Sequence, residues 1–567
     1  MFDEDRGWIA FWGKEKMNLP EQVNGHIINT RNGFTIIDNC LHKFPQDEIA
    51  IDMGDKFYWM DGFVLNKDQL INTNKGISWQ NSFIKETQKK NFPSGLRGGF
   101  SGVISEKESI FLFNDHIGNH AVYYYHNNGL VVCSSRVYYI LELLKYNDIK
   151  LQFNVRAAQY MLEQGFMVDE STFACEIKRV LPGQTIRIFH NRTEDIEQYY
   201  RLDNRHIKHN ITEDEAVELI DQYFRQAVKR EFEKDKEYGY EHLVDLSGGL
   251  DSRMVCWVAH ELGYMNQVNI TYCKEGYLDF QIAQKIAMAL KHNFLYMPLD
   301  DFKWYKDVEE MSRKNNGSSL YVGITGGNRY LNLLNKDRFG IEHTGMAGDV
   351  IIGSFFDEAR EGYRCPNAKE GRYSDKLHSG IDRKILQKYP NKELFLLNTR
   401  ALLGAQTSYF TRQTYFETSS PFLDVDLLDM MLSIPSHMRC KHYIYFKWLE
   451  RKYPQAVEFG WEKWKGLKPK ITNTNKIRYW IKMYEKLNQV KAKLGKDAPQ
   501  QMNPIDYWYK NDKETQQWIK TYYHNKIHLL DKYPELLKDI KFLFTRGNSL
   551  EKAQAVTVLT WAGYVMK

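Results

Sequence analysis

The stretch Leu243-Val244-Asp245-Leu246-Ser247-Gly248-Gly249-Leu250-Asp251-Ser252-Arg253-Met254 decides how the chain reads. An apolar run enters a Ser-Gly-Gly turn and leaves it into a helical pattern. Adjacent glycines let the backbone curl so that its N–H groups face an anion. A helix N-terminus adds positive potential at the same point. Ser247 and Ser252 offer hydroxyl hydrogen bonds to phosphate. Asp251 cannot bind phosphate directly, and its chemistry suits a Mg²⁺ ion that the phosphates share. A plain turn joining strand to helix is the simpler reading, but the order strand, S-G-G-x-D-S, helix is more specific than a lone G-x-G-x-x-G. The loop G-x-x-x-x-G-K-[ST] is absent, which argues against a P-loop nucleotidase.

Around this loop the pattern alternates. A strand is predicted over His242–Leu246, a helix over Asp251–Leu262 closed by Gly263, and a strand over Gln267–Cys273. A helix over Phe280–His292 and strands over Phe294–Met297 and Gly340–Thr344 follow. Such alternation predicts a parallel sheet flanked by helices. Upstream, Thr212 and Glu215 form a capping box ahead of Val217, Ile220, Phe224 and Val228 at helical spacing. Residues 200–210 read as a linker. The first 200 residues read as short strands, such as Phe34–Ile37, Gly129–Cys133 and Thr185–Phe189, interrupted by helices such as Val137–Leu144, an antiparallel α+β pattern. From about residue 380 the chain reads as helical and is rich in Trp, Tyr and Lys.

At 567 residues the chain exceeds what one core serves, so two or more domains are expected. A formal charge of +5, from 77 basic and 72 acidic residues, gives no support for a nucleic-acid or membrane-surface partner. The seven cysteines show no C-x-x-C spacing, which argues against zinc or a redox dithiol and for free thiols in a reducing compartment. No secretion signal or membrane span is legible, and a cytoplasmic enzyme is the default expectation.

Ser247–Ser252 resembles the pyrophosphate loop of the ATP-pyrophosphatase superfamily, whose members split ATP between its α and β phosphates. Further motifs resemble the asparagine synthetase family. Gly345-Met346-Ala347-Gly348-Asp349 is similar to its second acidic motif, which places Asp349 beside Asp251 as a magnesium ligand. Glu417–Asp424 is similar to E-x-R-x-P-F-L-D, with Ser419 where Arg is usual, and a structural role is an equal reading for it. Lys463-Trp464-Lys465-Gly466 resembles a K-x-G-F-x-x-P segment, which makes Lys463, or alternatively Lys465, the candidate catalytic lysine. The N-terminal stretches Gly7–Gly13, Leu96–Ser101, Asn114–Tyr124 and Val180–Gly183 echo the family's glutaminase domain.

The resemblance implies an Ntn-hydrolase-like antiparallel domain over residues 1–205. A parallel-sheet ATP-pyrophosphatase domain of the adenine-nucleotide α-hydrolase type would span residues 206–470, and a helical extension residues 471–567. It implies ATP and Mg²⁺ as cofactors, with Leu246, Ser247, Gly248, Gly249, Asp251, Ser252 and Gly345 at the nucleotide and Asp251 and Asp349 at the metal. It implies small-molecule carboxylate and amine substrates, and it is compatible with a homodimer.

Two positions depart from the family. Its glutamine-hydrolysing members carry a cysteine directly after the initiator Met; Phe2 stands there, and the nearest cysteine is Cys40. The glutaminase-like domain is therefore expected to serve as scaffold. Met346 stands where asparagine synthetases carry Glu, and methionine neither takes a proton nor pairs with a charge. Both departures are similar to those of β-lactam synthetase-type members. Three readings follow: an AMP-forming amide ligase with another substrate, an asparagine synthase using ammonia or glutamine nitrogen, and an ATP-binding pseudoenzyme acting as an interaction module.

Overall fold

The computed structural model describes residues 6–13, 17–20, 23–30, 33–189, 194–323, 329–356, 358–471, 480, 483 and 501–566. Met1 and Phe2 lie outside them.

Two six-stranded antiparallel sheets build the N-terminal half. Strand Gly7–Trp12 runs through the middle of the first, between Leu130–Ser134 and Phe34–Asn39. Its residues are buried on both faces because they alternate. Trp8, Ala10 and Trp12 pack with Phe57, Trp59 and Leu112 of the second sheet. Ile9 and Phe11 pack outward on the helices Val137–Tyr146 and Val155–Gln164. Beyond the second sheet, Tyr58, Met60 and Val64 pack on the helix Trp79–Thr87. The result is a helix–sheet–sheet–helix stack, the Ntn-hydrolase-like layering the resemblance implied.

The next region holds a five-stranded parallel sheet in the order Asn293–Pro298, Gln267–Cys273, Glu241–Asp245, Phe339–His343, Glu417–Ser419. The capping box is present: the Glu215 N–H donates to Thr212 Oγ1 at 3.2 Å, and the Thr212 N–H donates to Glu215 Oε2 at 2.8 Å. It opens the helix Glu213–Glu237, whose Val217, Ile220, Phe224 and Val228 are buried. The strand Glu417–Ser419 corrects the helical reading of this part of the chain. At three residues it carries no periodicity, and Pro421 follows at once. It pairs parallel with Ile341–His343, so the Glu417–Asp424 segment forms the sheet edge.

From Glu241–Asp245 the chain moves to one side for two strands, then returns to the other side for Phe339–His343. The direction of winding reverses between these neighbours. In open α/β sheets ligands bind outside the carboxyl ends of the strands at such a reversal.

The helix Ser549–Met566 does not stand apart. It lies in one apolar core with the helices Val137–Tyr146 and Val155–Gln164 of the N-terminal half. Trp561 stacks on Phe173 with ring centroids 5.6 Å apart. Buried charge joins the other faces. Asp47 accepts from Lys67 at 2.8 Å and Lys234 at 2.9 Å, and His120 meets Glu417 at 2.8 Å.

Candidate functional site

Two glycine-bearing loops meet at the reversal point. The first follows Glu241–Asp245. Leu246 extends the ladder by donating to the Ile270 carbonyl at 2.9 Å, and the chain then turns through Ser247–Gly249 into the helix Asp251–Glu261. The loop amides are engaged by side chains. The Ser247 N–H donates to Ser252 Oγ at 3.0 Å, the Gly248 N–H to Asp279 Oδ1 at 2.7 Å, and the Gly249 N–H to Ser247 Oγ at 3.1 Å. The sequence reading aimed these amides at an anion. In the structure Asp279 and the two serine hydroxyls stand where that anion's oxygens would accept.

The second loop follows Phe339–His343. A Cβ at Gly345 would lie 2.3 Å from the Ser252 backbone nitrogen, and one at Gly348 2.5 Å from Asp251 Cγ. Only glycine permits this approach. The Asp349 N–H donates to Asp251 Oδ2 at 2.9 Å, and Tyr445 donates its hydroxyl to Asp251 Oδ1 at 3.1 Å. Burial and the charge of Asp349 push the Asp251 carboxyl up to about 7, against the pull of Lys463 and Tyr445. Two carboxylates so placed form an oxygen donor set fit for a hard divalent cation, which would relieve their repulsion.

A third segment is clipped on by Arg253. Its buried guanidinium donates to the carbonyls of Ala456 and Phe459, each at 3.1 Å, Gly460 at 2.5 Å and Gly248 at 3.2 Å. One side chain thereby ties the Ser247–Gly249 loop to the turn that carries the candidate lysines. Lys463 Nζ lies 3.4 Å from Asp349 Oδ2. Lys465, with φ at +54°, makes no ion pair among the described residues. The structure thus brings Leu246, Ser247, Gly248, Gly249, Asp251, Ser252, Gly345, Asp349 and Lys463 to one place, with Lys465 two residues further along the turn.

Sequence reading missed Asp279, Glu462 and Tyr445. Asp279 is held up at about 7 by burial and by the nearby Glu462 charge. It opens the helix Leu278–Leu290, and nothing in its local sequence marks it. Nor did any motif mark the buried cluster of Asp245, Glu342 and Arg412. Arg412 pairs with Glu342 and lies 3.3 Å from Asp245, and it donates to the Tyr272 hydroxyl. A charge at the end of a buried parallel strand breaks the apolar run such strands show. That break is the signal by which Asp245 was open to notice. The reversal point opens into a cavity of about 640 Å³ lined by Asp245, Ser247, Gly249, Asp251, Ser252, Gly345 and Met346 among others.

Beneath the sheet, Asp235, His242 and His343 place their ligand atoms within 4.8 Å of one another. They bond to each other, His343 Nε2 to Asp235 at 2.8 Å and His242 Nδ1 to Asp235 at 3.1 Å, and His343 Nδ1 meets Glu231 at 3.2 Å. This satisfies the buried groups as an internal network.

Residues 219–308 match the family model described as asparagine synthase. This segment is similar to an asparagine synthase domain. The match takes in Ser247–Ser252 and Asp279 and stops short of Gly345, Asp349 and Lys463. No curated protein matches the chain. Among solved structures, the chain is similar to a glutamine phosphoribosylpyrophosphate amidotransferase from B. subtilis, complexed with ADP and GMP. That likeness has 11% identity and a TM-score of 0.23, over 51% of this chain and 65% of that one, just under two thirds. A structure of the allosteric regulatory enzyme of purine biosynthesis is similar at 10% identity and a TM-score of 0.24, over 51% of this chain and 80% of that one. Both likenesses are too slight to bear on what residues 219–308 do here. No helix among the described residues is long and apolar enough to cross a membrane.

Proposed function

We propose that the chain is an ATP-dependent ligase that adenylates a carboxylate, releases pyrophosphate, and passes the acyl group to an amine with loss of AMP. The observation that carries this reading is the convergence of the Ser247–Ser252 loop, the Asp251–Asp349 pair and Lys463 at the winding reversal of a parallel sheet. Residues 206–470 would carry the chemistry, with residues 1–205 as a glutaminase-like scaffold and residues 471–567 as a helical extension.

In the first step a carboxylate oxygen bonds to the α-phosphorus and the bond from that phosphorus to the β-phosphate oxygen breaks. Ser247 and Ser252 hold hydroxyls 3.0 Å apart at the loop, free to turn from each other toward the departing phosphates. Gly248 and Gly249 keep side chains out of that space. Lys463 offsets negative charge growing on the leaving group. Asp251 and Asp349 would hold Mg²⁺, which supplies charge neutralisation for the phosphates when bound. In the second step the amine's lone pair bonds to the acyl carbon, the carbon–oxygen bond to AMP breaks, and the amine proton leaves to solvent.

Met346 lies at the cavity wall, and no carboxylate stands at its position. That favours a substrate pair other than aspartate and ammonia. Retention of the loop serines and both aspartates speaks for turnover over a pseudoenzyme. The test is nucleotide analysis after incubation with ATP, Mg²⁺ and a panel of carboxylates and amines. AMP and pyrophosphate are the expected products. ADP and phosphate as the main products would refute the reading.

A further inference from the structure

The cavity has two unlike ends. At the loop end its wall is polar, with Ser247, Gly249, Asp251, Ser252 and Asp279. The rest of the wall is largely apolar: Phe166, Leu320, Tyr321, Tyr373, Ile505 and Leu550 line it, with the neutral polar Asn315, Ser319 and Asn503 among them. The six apolar residues come from the N-terminal half, the chain after the third parallel strand, and the C-terminal helices. None belongs to the parallel strands or to the loops that leave them, where Leu246 and Met346 line the cavity. The far wall is therefore left for the body of whatever molecule brings the carboxylate.

Charge narrows the class further. Among the described residues, the charged side chains lining the cavity are Asp245, Asp251, Asp279 and Arg412. Arg412 is the one cation, and it is already committed: it pairs with Glu342 and Asp245 and donates to Tyr272. A guanidinium between two carboxylates carries no surplus positive charge for a third. A ligand with a second carboxylate, such as an acidic amino acid, would bring that charge into a cavity with three aspartates and no uncommitted cation among the described lining residues. Neutral polar side chains, Asn503 and Thr411 among them, also line the cavity. Such groups suit neutral polar substituents on the ligand and not a second anion.

Resting on the ligase reading above, we propose that the carboxylate activated here is borne by a molecule with an aromatic or long aliphatic body and no second acid group. Phenyl or alkyl surface fills the far wall, and the lone carboxylate reaches back to the loop. An aromatic body of this size buries enough apolar area to favour binding on the order of 10- to 100-fold over a small polar acid.

The test is ATP–pyrophosphate exchange by the full chain with Mg²⁺, with single carboxylates at equal concentration. One set is phenylacetate, 3-phenylpropanoate and octanoate; the other is aspartate, glutamate and succinate. The proposal expects the first set to drive exchange on the order of 10- to 100-fold faster than the second. Exchange driven as fast or faster by aspartate, glutamate or succinate would overturn it while leaving the ligase reading intact. Exchange with no member of the first set would overturn the proposal, and ADP as the main nucleotide product under the same conditions would overturn the ligase reading with it.

Discussion

Gly345→Ala tests whether the close approach of the two loops is what builds the site. The added Cβ would sit 2.3 Å from the Ser252 nitrogen and 2.8 Å from both the Asp251 carbonyl carbon and the Ser252 Cα. Ordinary contact begins at 3.4 Å, so the loops must part by about 1.1 Å (3.4 − 2.3). The obstacle is backbone at the start of a helix, which cannot rotate away as a side chain tip would. Overpacking of this kind costs about 1–3 kcal/mol. The chemistry suffers more, because a misplacement of about 1 Å costs on the order of 10²-fold in rate. Asp251 rides on one loop and Asp349 on the other, so their spacing is what changes. Pyrophosphate exchange is therefore expected to fall about 100-fold while far-UV circular dichroism stays native and the melting temperature drops by a few degrees. Exchange within about threefold of the parent protein would refute the claim that this approach positions the two carboxylates.

Asp251→Asn and Asp349→Asn are each expected to lower adenylation by about 10²–10³-fold with the fold intact, since an amide is a poor ligand for a hard cation; near-parental exchange in either removes that residue from the metal site. Lys463→Ala is expected to cost a similar factor and Lys465→Ala little, given that Lys463 is the one 3.4 Å from Asp349; the reverse order in exchange rates would reassign the lysine. Asp279 gives a pH signature. Its carboxyl is raised from 3.8 to about 7, so it is neutral below about 7 and charged above. ATP affinity by calorimetry is expected to fall about tenfold from pH 6 to pH 8 as that charge appears beside the phosphates, and to lose this dependence in Asp279→Asn. Because the folded state holds this proton more tightly than the unfolded chain, its contribution to stability is full below 3.8 and is lost as pH rises through about 7.

What was legible was what local chemistry dictates. The glycines of Ser247–Ser252 announce a tight turn by residue type alone. Gln267–Cys273 carries an unbroken β-prone run and appears with the bounds its pattern predicts. Thr212 and Glu215 mark a helix start because a capping box is a contact between residues three apart. What was not legible depends on residues far apart in the chain. Asp279 matters only because folding sets it 2.7 Å from the Gly248 nitrogen, 31 positions away. Arg253 looks like a helix surface residue, yet it is buried and ties down a loop some 200 positions on. The three-residue strand at Glu417 has no period to read. The docking of Ser549–Met566 was hidden for another reason: a helix buried nearly all round shows no stripe.

That last helix has a consequence for how the protein is made. Its Ala555, Val558 and Trp561 belong to the same apolar core as Leu141, Ala158 and Met161 of the N-terminal half. When the ribosome has finished the helix that ends at Gln164, the partner that completes this core is still 402 residues from being finished (566 − 164). At a synthesis rate of roughly 5–20 residues per second, that is a wait of about 20–80 s with apolar surface open to the crowded cell. A chaperone that shields such surface would lower the risk of aggregation during that wait. Production in cells short of one should send this protein into aggregates well before any defect in the finished fold is visible.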